Sequence, residues 1–104
     1  MTIFLNATNQ HRFEALSELT GHHHQMTVLL DRIIYWWQNS EIEIEGYTWT
    51  TRLLEQISAQ TRIPLRTLER YLARMQSMNL IVKQCFKTKA KRLYIRVTET
   101  VLHA

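Results

Sequence analysis

The chain has 104 residues, of which 45% are hydrophobic, and it carries a net charge of +4 and one cysteine. A chain of this length can bury one compact core, so we expect a single domain over residues 1–104. A single cysteine excludes an internal disulfide framework and fits a reducing compartment. No apolar run approaches the ~20 residues that span a bilayer, and the N-terminus lacks a signal-peptide pattern. We therefore expect a cytoplasmic protein without membrane contact.

The positive charge is concentrated in the second half of the chain. Residues 1–52 contain three basic and six acidic residues, a net charge of −3, whereas residues 53–104 contain ten basic and three acidic residues, a net charge of +7. All ten of these basic residues fall between Arg62 and Arg96. This asymmetry predicts a polyanionic partner, which charge alone does not assign to DNA, RNA or lipid.

Two helices are predicted in the first half. A short one, within an N-terminal region 1–21, ends before Gly21, and a longer one spans residues 23–39, where apolar side chains recur with the 3.6-residue period. Tyr35 and Trp36 extend the apolar surface of the longer helix sideways, whereas Trp37 follows its core-facing period. Adjacent histidines do not converge on one metal ion, so we interpret residues 22–24 as a polar linker or helix start.

The segment that follows alternates acids with isoleucine between Glu41 and Glu45, which predicts an exposed loop or edge ribbon. A short strand is expected at Tyr47–Trp49. A helix over residues 52–60 follows, with Thr50 or Thr51 as its cap. The spaced glutamates resemble catalytic carboxylates only superficially, and no other catalytic constellation is present. We therefore predict that the protein is not an enzyme and has no cofactor and no metal site.

A second helix is predicted over residues 64–78, opened by Pro64, which is favoured in a first helical turn. The arginines of this region stand at intervals of four: Arg62, Arg66, Arg70 and Arg74. Side chains four apart share one helical face, so the last three form a cationic stripe, and Arg62 lies in the turn before it. Only one acid, Glu69, lies beside the stripe.

The pattern of apolar residues then predicts a hairpin over residues 80–97. Leu80–Phe86 is rich in apolar and β-branched residues, and the residues from Arg92 to Val97 alternate with period two, as in a half-buried strand. A polar, basic loop, Lys87–Lys91, connects the two strands. Asn79 stands where a helix often ends in a left-handed residue.

This order of elements is that of a winged helix-turn-helix, mainly α with a small antiparallel sheet. Segments 52–60 and 64–78 would form the helix-turn-helix unit, whose second helix lies in the DNA major groove. The hairpin loop, or wing, would lie beside it. Both of these elements carry the positive charge of the chain, which favours DNA among the polyanions.

Particular residues also resemble a known family. Pro64–Leu72, followed by Met78–Ile81, resembles the recognition helix of winged-helix proteins and the strand after it. Leu19–Gly21, Leu29–Trp37 and Gly46–Trp49 are similar to the N-terminal winged-helix modules of phage and plasmid replication and regulatory proteins. The resemblance covers about residues 15–97 and implies DNA binding. The family usually has glycine at the positions of Arg62 and Asn79. A left-handed residue other than glycine costs about 1 kcal/mol at the position of Arg62, so either the turn is built differently or Arg62 is placed there for contact.

We therefore expect a sequence-specific double-stranded DNA-binding protein, either a plasmid- or phage-type transcriptional regulator or a replication accessory factor. The residues expected to contact DNA are Arg62, Arg66, Thr67, Arg70, Arg74, Lys87, Lys89, Lys91 and Arg92. Arg66 and Arg70 are assigned to base edges or phosphates, and Arg74 and the wing to phosphates. Thr67 could equally contact phosphate or brace the turn.

Several alternatives remain open at this level. The arginine stripe could be a solvated helix face, and the lysines a solubilised hairpin tip. The aromatic residues Tyr35–Trp37 and the acidic segment after them support a different hypothesis, a winged-helix protein–protein adaptor in a replication or partition complex. Aromatic side chains on helix 23–39 also support a homodimer, since helix-turn-helix proteins commonly pair.

Overall fold

A computed structural model describes residues 9–84 and 93–103, with side chains from residue 12 onward. The elements of this part are α1 Asn9–Leu19, α2 His24–Gln38, β1 Ile42–Ile44, β2 Tyr47–Arg52, α3 Leu54–Thr61, α4 Leu65–Ser77, β3 Ile81–Gln84, β4 Leu93–Val97 and α5 Glu99–Leu102. The predicted class, mainly α with a small antiparallel sheet, is confirmed. None of the described helices is both long enough and apolar enough to cross a membrane.

The four strands form one antiparallel sheet in the order β1-β2-β4-β3. In the β2–β4 pair, Arg52 lies opposite Leu93 and Thr50 lies opposite Ile95. The end of β2 therefore adjoins the start of β4, beside the connection over residues 85–92. The turn between β1 and β2 lies toward the opposite end of the sheet, because β2 runs antiparallel to β4.

The core forms where α2, α3 and α4 pack against the sheet. Five of the residues that α2 buries follow the predicted helical period: Met26, Leu29, Leu30, Ile33 and Ile34. From α4 come Leu68, Leu72 and Met75, each no more than 1% exposed. Burying one such side chain stabilises the fold by roughly 1.5–3 kcal/mol, so this apolar set holds the two elements in place.

The aromatic cluster of α2 is arranged differently from the prediction. Trp36, which was expected to extend the apolar surface sideways into a second packing surface, is only 6% exposed and packs in the core. Trp37, expected to face the core, is half-buried, and its indole N–H donates to the Thr48 carbonyl over 2.8 Å. Tyr35 is the exposed member, at 53%. Trp36 therefore does pack on a second side of α2, where the guanidinium of Arg52 lies over its ring.

The helix predicted over residues 52–60 begins later, at Leu54. Thr50 and Thr51 were proposed as its caps, but both lie in β2, and Leu53 is the N-cap residue. The Leu53 N–H donates to the side-chain carbonyl of Gln56 over 3.3 Å. Pairing with β4 extends β2 through Arg52, so long-range strand pairing overrides the local capping signal.

The remaining element boundaries differ from the prediction in smaller ways. The acidic segment contains an edge strand, β1, which supports the ribbon alternative over the loop. Pro64 is the N-cap of α4 rather than a residue of its first turn. Helix α5 was not predicted. Within the region assigned to the hairpin, residues 85–92 lie outside the described part of the chain.

Two helix ends were predicted correctly. His23 is the N-cap of α2, and its Nδ1 accepts the Met26 N–H over 3.2 Å, which fits a helix start in the histidine run. At the end of α4, Asn79 is left-handed with φ 61°. The N–H groups of Asn79 and Leu80 donate to the carbonyls of Gln76 and Met75, the two bonds of a Schellman motif.

Candidate nucleic-acid interface

A three-residue turn, Arg62-Ile63-Pro64, connects α3 to α4. Arg62 is left-handed, with φ 59° and ψ 27°, as expected for a position where glycine is usual. Ile63 is 1% exposed and anchors the turn in the core, and the Ser58 hydroxyl donates to its carbonyl over 2.6 Å. The turn is thus fixed by an apolar anchor and a hydrogen bond, which together orient α4 against α3.

The arginines of α4 face away from the core. Arg66 and Arg70 each precede a buried leucine by two positions, about 200° around the helix axis. Arg66, Arg70 and Arg74 are all exposed. Successive members are about 6 Å apart along the axis, so the stripe extends about 12 Å. Burial of the opposite face therefore directs this row of guanidinium groups to the surface.

The stripe is not neutralised within the described part of the protein. The ion pair found there joins Arg12 to Asp31, between α1 and α2. None of the guanidinium groups of Arg66, Arg70 and Arg74 forms an ion pair or a hydrogen bond with a described residue. An exposed cationic row without internal partners is available to an external anion, which distinguishes it from a helix face of self-compensating charges.

Two further residues of the first turns of α4 qualify the prediction. Thr67 is half-buried, and its hydroxyl makes no hydrogen bond to the described residues, so neither role considered for it is demonstrated. Leu65, an apolar side chain beside Arg66 that was not among the expected DNA contacts, is 39% exposed. The available signal was that the core spacing of this helix begins at Leu68 and does not need Leu65.

Three arginines outside α4 lie over aromatic rings. The Cζ atom of Arg52 is 4.7 Å from the ring centre of Trp36, and that of Arg96 is 4.1 Å from the ring centre of Tyr47. Arg32 lies over Tyr35 at 5.9 Å. Guanidinium groups stack on aromatic faces by cation–π attraction, which fixes their orientation.

The predicted wing is described only at its base. Its proposed contacts Lys87, Lys89, Lys91 and Arg92 lie outside the described residues. The strands on either side are paired, with Gln84 opposite Tyr94 and Ile81 opposite Val97. The hairpin strands are therefore present, and the role of the basic loop stays a prediction.

The histidine run is dispersed rather than convergent. His22 contacts the Ser17 hydroxyl, His23 packs edge-on against Tyr71 at 5.0 Å, and His24 packs against Phe13 at 5.7 Å. Over residues 9–84 and 93–103, no group of three histidines, cysteines or carboxylates is arranged to hold a metal ion.

Comparisons of the chain with protein-family models, with curated proteins and with solved structures found no match. Three features of the chain itself therefore bear on its function: a tight turn, an exposed row of three arginines on α4 and a basic connection between β3 and β4.

Proposed function

We propose that this chain is a winged helix-turn-helix protein that binds double-stranded DNA in a sequence-specific way. In this proposal α3 and α4 form the helix-turn-helix unit, and the connection between β3 and β4 forms the wing. The observation that carries the proposal is the exposed, unpaired row of Arg66, Arg70 and Arg74. The major groove is about 12 Å wide and admits a helix, so α4 can present this row to bases and phosphates.

The individual roles follow from position along α4. Arg66 and Arg70 lie nearest the helix N-terminus, where base edges are read, and an arginine fork matches the O6 and N7 atoms of guanine. Arg74 lies about 12 Å beyond Arg66 and contacts phosphate. Arg62, in the preceding turn, and Thr67 contact the backbone. Lys87–Arg92 contacts phosphates from the wing.

The biological setting that we propose is a plasmid- or phage-type regulator or replication accessory factor that acts by occupying its site. A homodimer would let two copies of α4 read two half-sites. Its support is on α2, where Val28 and Tyr35 are 40% and 53% exposed and lie two turns apart on one side. Sedimentation at high protein concentration tests pairing, and a strictly monomeric profile would argue against it.

The adaptor hypothesis is less favoured. It depends on an aromatic surface at Tyr35–Trp37, and within that run Trp36 is buried and Trp37 is half-buried. The exposed aromatic area that would contact a protein partner is thus largely that of Tyr35. The cationic row on α4 has no role in the adaptor hypothesis.

Binding to a randomised duplex pool at several salt concentrations tests the proposal. If about five phosphates are neutralised, the slope of log affinity against log salt should lie near −4 to −5, and the selected pool should converge on a sequence. Arg70→Ala should reduce sequence discrimination, whereas Lys89→Ala should weaken binding to all duplexes alike. Arg32→Gln, which removes the same charge from α2, is the control. A nearly flat salt response would contradict the proposal.

A further inference from the structure

An open cleft of about 470 Å³ lies between the end of α2, the start of β1 and the end of β2. Its polar wall includes Asn39, Ser40 and Thr51, and Arg52 lies at one side. None of these residues belongs to α4 or to the wing. Its volume lies in the range of sites that hold small organic groups and exceeds what a single ion needs.

Arg52 is held in a conformation suited to binding an anion. Its guanidinium lies 4.7 Å above the ring of Trp36, which is fixed in the core at 6% exposure. The Arg52 side chain is half-buried, and it forms no ion pair or hydrogen bond with the described residues. Stacking restricts the side chain but leaves the in-plane N–H groups free, and this planar fork matches a phosphate. Much of the entropy cost of binding is thereby met in the free protein.

The position of Arg52 links it to both proposed DNA contacts. It lies opposite Leu93, the first residue after the 85–92 connection, and it directly precedes Leu53, the N-cap of α3. The backbone of Arg52 therefore adjoins both the start of α3 and the base of the β3–β4 hairpin.

We propose that Arg52 binds a backbone phosphate of the bound duplex, and that the cleft beside it receives the adjoining part of that DNA strand. This inference rests on the proposed function and adds a contact that belongs to neither the recognition helix nor the wing. It concerns the phosphodiester alone, so the contact is independent of sequence.

Glu41 provides an opposing charge in the same cleft. It is exposed, and it lines the cleft together with Arg52. A phosphate held by Arg52 would experience repulsion from this carboxylate. Removing the carboxylate should therefore strengthen duplex binding, and removing the guanidinium should weaken it.

The experiment measures duplex affinity by fluorescence anisotropy across a salt series. Arg52→Gln should reduce the steepness of the salt slope by about 0.9, the value for one phosphate, with equal losses for specific and random duplexes. At low salt the affinity should fall about 10-fold. Arg52→Lys should retain part of the affinity, because it keeps the charge but loses the planar fork, and Glu41→Gln should raise the affinity.

Arg96→Gln is the matched control, because it removes the charge of another stacked arginine. Arg52 lies opposite Leu93 and shares its face of the sheet, whereas Arg96, three residues further along β4, lies on the other face. The salt slope of Arg96→Gln should therefore equal that of the wild-type protein. Thermal unfolding confirms that each variant is folded. A wild-type slope near zero would contradict the DNA-binding function itself. If the wild-type protein has a steep salt slope and Arg52→Gln has the same slope, only the Arg52 contact is overturned. Saturable binding of a free nucleoside monophosphate by the wild-type protein, together with an unchanged salt slope in Arg52→Gln, would overturn the same contact.

Discussion

Replacing Arg62 with glycine should make the protein more stable and make it bind DNA less tightly. Arg62 has φ 59°, a left-handed backbone that disfavours residues with a Cβ atom. The side chain is exposed, and the fold is anchored instead by the neighbouring Ile63 and by Ser58. Arginine at this position therefore adds backbone strain, and contact with a phosphate gives a reason for its presence.

The size of the stabilisation follows from two opposing terms. A left-handed residue with a Cβ atom costs roughly 1–2 kcal/mol. Glycine loses more backbone freedom on folding, which costs roughly 0.5–1 kcal/mol. The net gain for Arg62→Gly is therefore about 0.5–1 kcal/mol, which in a chain of this length raises the Tm by roughly 2–8 °C.

Thermal unfolding followed by circular dichroism measures the first effect, and anisotropy titration measures the second. Arg62→Gln removes the same charge but keeps the strain, so it should lose the same affinity without the gain in Tm. Glu45→Gly is the complementary control. Glu45 has φ 55° in the exposed turn between β1 and β2, so its replacement should raise the Tm and leave the salt slope unchanged.

Two results would refute this reasoning separately. If Arg62→Gly and Arg62→Gln unfold at the same temperature, the left-handed backbone stores no appreciable strain. If both variants keep the wild-type salt slope, Arg62 contacts no phosphate, and phosphate binding does not explain why an arginine stands at this left-handed position.

Two other predictions concern α4 and α2. Leu65→Ala should lower the preference for thymine at the bases that the start of α4 contacts, because an exposed apolar side chain there can contact the thymine methyl group. Replacing thymidine by deoxyuridine in the duplex should lower the affinity of the wild-type protein but not that of Leu65→Ala. An equal effect on both proteins would exclude this contact. His23→Ala should cost about 1 kcal/mol and lower the Tm by roughly 4–8 °C, since it removes the N-cap acceptor of Met26, whereas His23→Asn should retain most of the stability. Calorimetry of the three proteins checks this ranking, and an unaffected His23→Ala would show that the cap contributes little.

The elements that could be predicted from the sequence are those specified by local pattern. Helix α2 and helix α4 have long runs of helical periodicity, and the left-handed position of Asn79 follows from the place where α4 ends. For Arg62 the family resemblance implied a left-handed position, and the structure has it. The exposure of the arginines on α4 follows in the same way, since burial of Leu68 and Leu72 fixes which side of the helix faces outward.

The errors arose where distant segments determine the structure. β2 extends past Trp49 because it pairs with β4, and the Thr51 hydroxyl donates to the Leu93 carbonyl across 42 residues of sequence. Reading Arg52 as a helix residue concealed its place beside Trp36. That ring is buried because the sheet packs against α2, which the period of a single helix cannot reveal.

The pairing of β2 with β4 has a mechanical consequence. Only Leu53 separates β2 from α3, and the pair Arg52–Leu93 joins this point to the start of β4, so α3 and the base of the β3–β4 hairpin share one hydrogen-bonded frame. If α3 and α4 bind DNA as proposed, the spacing between them and the hairpin base is set by the protein rather than by the nucleic acid. Such a frame selects for groove dimensions as well as for bases. A-form RNA has a deep and narrow major groove, so an RNA duplex of the same sequence should be rejected on shape alone.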